Sequence, residues 1–255
     1  TSHSGDPDLY KRRLRLAGMR PINSIVDATN YVMLATGQPL HAFDYDVLVK
    51  RAGGKVPTIV TRAANPGEKL TTLDNIERAL EPYTILVCDT AGGLSLAGVR
   101  GGLESEGTES TRNVLLESAS WNFINVRRTM TNLHMNSEAG YRFSRGVHPE
   151  LGPLAARLGL VVMTQWSGGQ MTRHLVDAYP QPAVDPTIEL APADTIRILG
   201  VAIPAEEIAS ILERLEFSCR VEGDRFIAET PPHRLDIGEG LIGKADLLEE
   251  VARIY

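Results

Sequence analysis

Aromatic residues make up only 5% of this 255-residue chain, and cysteine occurs twice. Cys88 and Cys219 are far apart and have no metal-type spacing, so they read as buried reduced thiols of a cytosolic protein. No apolar run approaches the roughly 20 residues that a membrane helix needs. The polar start (Thr1-Ser-His-Ser-Gly-Asp) has no apolar core, which excludes a signal peptide there. Positive charge is also in short supply. A net charge of −6 argues against broad coating of nucleic acid, although local clusters stand at Lys11-Arg12-Arg13 and Arg127-Arg128. Internal repeats, low-complexity segments, Ser-His-Asp triads and Cys-His pairs are all missing, which leaves no case for a covalent nucleophile.

What is present is the composition of a globular protein, 43% hydrophobic and 23% charged. The first residue is not Met, and the last segment (Ala245 to Tyr255) is still helical in pattern with no stop signal. The chain therefore reads as an excised piece of a longer polypeptide.

Periodicity predicts helices over 7–17, 23–35, 122–133 and 149–166, with Gly18, Gly37 and Gly168-Gly169 as stops. Strand signals lie at 57–61, 83–88, 93–97 and 113–117. The last of these is too apolar to be half exposed and is expected to be covered on both faces. Without a regular βαβ rhythm, the fold class reads as α+β. Three prolines within 179–186 predict a stiff linker. That places one domain over 1–179, the linker over 180–186 and a second domain over 187–255. In the second domain a short strand, two helices, a hairpin turning at Glu222-Gly223-Asp224 and a final helix outline a winged-helix-like module.

Several residues carry possible chemistry. His41 follows a Gly-Gln-Pro turn, so it is expected on a loop, where functional histidines concentrate. Thr29 and Asn30 fall inside a helix, where either a ligand or back-bonding to the helix explains the hydroxyl. Leu96-Ala-Gly-Val-Arg-Gly-Gly102 ends a strand in a glycine-rich loop, either a tight turn or a close backbone approach to a ligand. Its glycine spacing is not that of a dinucleotide site. Glu117 ends an apolar strand and needs either a structural partner, with Arg142 the candidate, or a ligand.

Two segments carry a resemblance. One runs from Arg20-Pro-Ile-Asn23 through Asp27-Ala-Thr-Asn-Tyr31 to Gly37-Gln-Pro-Leu-His41-Ala-Phe-Asp44. The other is Leu96–Gly102 followed by Asn113-Val-Leu-Leu-Glu-Ser-Ala119. Together they resemble the editing module of the bacterial phenylalanyl-tRNA synthetase beta-subunit family. The resemblance implies hydrolysis of tyrosine from phenylalanine-accepting tRNA. It implies Glu117 at the tyrosine hydroxyl, with Gly98 and Gly101 lining the pocket. It also implies Thr29, His41 and Arg20 near the ester and terminal adenosine, with Asn30 beside them, and Ser137 and Ala139 at a Thr-x-Ala pair. The departures are Ser137 for Thr, Arg100 between the glycines, and Ser144 and His148 for acidic residues.

Pro231-Pro-His-Arg-Leu-Asp-Ile237 leads to a second cluster. Asp246 lies one helical turn from Glu249 and Glu250, which suits either a bridging cation or a solvated face paired to Arg253. The resemblance implies a magnesium site of Asp236, Asp246, Glu249 and Glu250 at the junction with an alpha subunit, with about four extra residues between the two aspartates. It further implies an α2β2 tetramer that uses ATP, the ATP and phenylalanine site lying on the alpha subunit. The alternatives are a free-standing deacylase and a non-catalytic RNA-binding or scaffold module.

Overall fold

The computed structural model describes residues 7–105, 107–108, 110–223 and 225–255. They divide into two compact units, one ending at Asp177 and one spanning Ala178–Tyr255.

In the first unit, α1 (Pro7–Leu16) and α2 (Ser24–Thr36) come first. Asn23 caps α2 by accepting from the Ile25 and Val26 amides, and Gly37 closes it at φ +80°. The turn after Gly37 is pinned by the buried Gln38, whose Nε2 donates to the Ala119 carbonyl at 2.7 Å. That bond fixes the start of β1 (Leu40–Asp44) beside the end of a distant strand. Asp44 then caps α3 (Tyr45–Arg51), a helix that the sequence patterns missed because its cap is the last residue of a strand. Next come β2 (Val60–Ala63), the hairpin β3 (Lys69–Thr71) and β4 (Glu77–Ala79), and β5 (Ile85–Asp89), β6 (Gly92–Leu96) and β7 (Arg100–Gly101). β8 (Val114–Ser118) is followed by α4 (Phe123–Leu133), α5 (Glu138–Phe143) and α6 (Leu151–Ser167). All described strand pairs are antiparallel, with a four-stranded sheet in the order β2-β5-β6-β7 and a two-stranded sheet β1-β8.

The alternation of side chains along β1 and β8 sorts the residues by face. Leu40, Ala42 and Leu116 pack with Ala28 and Val32 of α2 and Ala155 of α6. Phe43 and Leu115 pack the other way, with Val87, Leu94 and Ala97. β8 is thus covered on both faces, as its apolar run predicts. His41 and Glu117 share the face that looks toward β5 and β6. α6 lies close on the opposite face because of Gly159, where a Cβ would sit 2.7 Å from the Leu40 Cδ1.

The second unit contains β9 (Thr187–Leu190), α7 (Pro192–Leu199), α8 (Ala205–Glu213), β10 (Ser218–Glu222), β11 (Arg225–Glu229) and α9 (Gly240–Ile254). The strands form one antiparallel sheet in the order β10-β11-β9. Its core is built from Leu190, Ile208, Leu212, Phe226, Leu247 and Val251. Pro204 is the cap residue of α8 and does not lie inside its first turn. Asp224, expected in the hairpin turn, lies outside the described residues. Both units are α+β with antiparallel sheets and flanking helices.

Candidate functional site

His41 lies in strand β1, a correction to the loop expected from the Gly-Gln-Pro turn. The turn ends two residues earlier, and Leu40 already pairs with Ser118. The register sets His41 directly across from Glu117. Burial holds the imidazole at about 4, so it is neutral at pH 7. Burial pushes the Glu117 carboxyl up to about 7. Its Oε2 is buried and makes no hydrogen bond among the described residues. Arg142, the structural partner considered for it, donates instead to the Glu138 carboxylate at 2.9 Å. Glu117 is a buried acceptor without a structural reason, and such groups are rare.

The glycine loop packs against His41. Gly101 pairs through β7 with Ser95, and a Cβ on it would stand 3.0 Å from the His41 Cε1. Only a residue without a side chain lets the backbone lie against that ring. Gly98 has φ +69°, and its missing Cβ would fall 2.7 Å from Trp121 and 2.9 Å from Phe143. Phe43 stacks edge-on to His41 with ring centroids 4.4 Å apart. Ser137 caps α5 by accepting from the Gly140 amide and donates to the Val99 carbonyl at 2.8 Å, tying that helix to the loop. Ala139 packs behind it, in the same apolar cluster as Phe143. Arg100 turns aside to pair with Asp74 at 3.2 Å.

Not every expected residue joins this group. Thr29 is buried on α2, and its hydroxyl donates to the Val26 carbonyl at 2.8 Å. Asn30 follows it on the same helix and Arg20 is exposed. α2 packs on the sheet face opposite His41 and Glu117. Sequence reasoning missed Trp121, whose Nε1–H is buried beside Gly98 with no partner among the described residues. An indole in a chain with two tryptophans, four residues past Glu117, was the available signal.

The acidic cluster of the second unit is organised around a guanidinium. Arg234 donates to Asp236 at 2.9 and 2.6 Å and to Glu250 at 2.7 Å. These bonds raise the arginine pKa and hold Asp236 below its ordinary value. Glu250 also pairs with Arg253. The Asp246 Oδ2 accepts from the Gly238 amide at 2.8 Å, and Glu249 is exposed. No group of three or more His, Cys, Asp or Glu side chains is arranged to hold a metal among the described residues. As arranged, these carboxylates do not fit a divalent cation, because Asp236 and Glu250 are taken up by Arg234 and Asp246 by a backbone amide.

With this geometry in view, a family profile described as "B3/4 domain" matches residues 3–167, and one described as "tRNA synthetase B5 domain" matches 188–255. The chain belongs to the B3/4 domain family, here followed by a B5 domain. It is 43% identical over 242 residues to a phenylalanine–tRNA ligase beta subunit of Moorella thermoacetica, covering 95% of this chain and 29% of that protein. It is 41% identical to the beta subunit of Geobacter metallireducens over 97% of this chain and 30% of that one. The chain thus spans under a third of the length of these relatives. Among solved structures, an N-terminal fragment of the phenylalanyl-tRNA synthetase beta-subunit from Pyrococcus horikoshii aligns over 89% of this chain and 64% of its own. The identity is 18% and the TM-score 0.41. No helix among the described residues is long and apolar enough to cross a membrane.

Proposed function

We propose that this chain hydrolyses tyrosine from the acceptor end of phenylalanine-accepting tRNA, as the editing part of a phenylalanine–tRNA ligase beta subunit. The observation that supports the reading is the unpartnered, buried Glu117 Oε2 opposite a neutral His41, with Gly101 of the glycine loop against the imidazole ring. A tyrosine hydroxyl supplies the partner that Glu117 lacks. Phenylalanine leaves the acceptor unpaired, and discrimination of this kind reaches roughly 10⁴-fold.

Hydrolysis of an activated ester needs a positioned water and little more. Water oxygen adds to the carbonyl carbon, the bond to the ribose oxygen breaks, and the ribose oxygen leaves with a proton. Neutral His41 has one nitrogen lone pair with which to orient that water. The Trp121 Nε1–H is an unpaired donor for a ligand oxygen. Thr29 and Asn30, on α2 across the sheet from His41 and Glu117, take no part in ester cleavage in this reading, and neither does Arg20, exposed ahead of that helix. In the complete enzyme, an α2β2 tetramer, the alpha subunit would supply the ATP and phenylalanine site. The magnesium ion that such a ligase uses is not given a site by Asp236, Asp246, Glu249 and Glu250 as they stand.

The test is loss of ester from tyrosyl- and phenylalanyl-tRNA in the presence of the chain, with Glu117→Ala beside it. Preferential loss of tyrosine, abolished in the variant, is expected. Equal loss of both, unaffected by Glu117→Ala, would leave the editing assignment without support. No loss of either in the full tetramer would make the chain a scaffold or RNA-binding module. A free-standing deacylase would act without any alpha subunit.

A further inference from the structure

The segment Asn122–Gly146 contains four arginines and one glutamate, in a chain whose net charge is −6. Glu138 is used by Arg142. Arg127, Arg128 and Arg145 are exposed, and among the described residues none of them is ion-paired. Instead each lies over an aromatic ring. Arg145 sits 3.6 Å above Tyr141, Arg128 3.8 Å above Tyr83, and Arg127 5.7 Å from Phe123. Tyr141 is 56% and Phe123 43% exposed. Both exposed rings stand one helical turn from a guanidinium that no carboxylate pairs among the described residues.

The patch is continuous. The Arg127 Nη2 donates to the Ser144 carbonyl at 2.8 Å, joining α4 to α5, and the Arg145 Nη1 donates to the Tyr141 carbonyl at 2.8 Å. Each guanidinium is thereby oriented by one backbone oxygen and has other N–H groups free. α5 also packs against the glycine loop of the candidate site, through Ser137 on Val99 and Phe143 against Gly98. One six-residue helix thus has the glycine loop on one side and the exposed Tyr141 on the other.

A guanidinium lying on a ring can stack a base on its free face while its edge bonds phosphate. That combination fits an unpaired nucleic-acid strand, since a duplex offers no free base faces. An acidic peptide would use the charges and leave the rings unexplained. We propose that the outer face of α4 and α5 is the landing surface for the single-stranded 3′ end of the RNA substrate. Arg127 and Arg145 hold its backbone, and the Tyr141–Arg145 platform stacks a base. This rests on the editing reading, because it names how the acceptor end reaches that pocket.

The test uses the whole chain and a fluorescein-labelled RNA hairpin with a single-stranded 3′ overhang, followed by anisotropy over a salt series. Arg145→Gln and Arg127→Gln are each expected to weaken binding about tenfold and to flatten the salt slope by roughly one. Tyr141→Leu is expected to weaken binding without changing that slope. Arg145→Lys should restore the slope but not the full affinity, because the ammonium does not stack as the planar guanidinium does. A blunt hairpin that binds as tightly as the overhang would overturn the proposal. So would variants that bind like wild type, or polyglutamate competing as well as single-stranded RNA. RNA binding is read without hydrolysis, so failure of the editing reading would appear separately, as intact esters with this binding pattern preserved.

Discussion

The opposed titrations of His41 and Glu117 offer a quantitative check on the candidate site. The Glu117 pKa rises from 4.5 to about 7, so the folded chain binds more protons than the unfolded one between those values. Its contribution to stability is fully present below pH 4.5 and is lost as pH rises through 7. At 1.36 kcal/mol per pH unit the loss is roughly 3 kcal/mol. The His41 pKa falls from 6.5 to about 4, so the folded chain binds fewer protons in that window. Its contribution is present above pH 6.5 and is lost as pH falls through 4, again by roughly 3 kcal/mol. Between pH 4.5 and 6.5 the two nearly cancel in the wild type. Glu117→Gln removes one and unmasks the other, so stability of that variant should climb with pH from 4 to 6.5. His41→Asn should do the reverse, falling from pH 4.5 to 7. Urea unfolding at a series of pH values measures this directly, because both tryptophans, Trp121 and Trp166, report on the unit ending at Asp177. Variant curves that run parallel to wild type would mean that neither group is desolvated as argued. Slopes of the opposite sign would mean that the fold favours the charged form of the remaining group.

Two further outcomes follow from the packing. Gly101→Ala puts a methyl group 3.0 Å from the His41 ring, so it should cost tyrosine release at least tenfold while shifting urea stability by only about 1 kcal/mol; equal deacylation by the variant would remove His41 from the reaction. Arg234→Met leaves the buried Glu250 to the exposed Arg253 alone and should destabilise the second unit by about 2 kcal/mol in thermal unfolding. If millimolar magnesium restored the variant and also stabilised the wild type, the carboxylates would form a metal site after all.

Much of this protein was legible in local sequence. Asn23 and Gly37 delimit α2, and the run Val114-Leu115-Leu116 marks a strand covered on both sides, because capping and alternation act over a few residues. The α+β class followed from the order of those elements. α3 and α5 were not legible. One starts from the last residue of a strand, and the other is six residues long with Gly140 inside it. The glycine loop, His41 and Glu117 could be singled out one by one, each with a structural alternative. Tertiary structure removed the alternative for Glu117 by giving Arg142 to Glu138 and by setting His41 across from it in register. It favoured the bland alternative for Thr29, whose hydroxyl bonds its own helix, and paired Asp236 and Glu250 with Arg234. Local sequence decides which residues can cap, alternate or turn. Which buried charge is left without a partner depends on strand register and on side chains brought together from distant positions, and only the folded chain sets those.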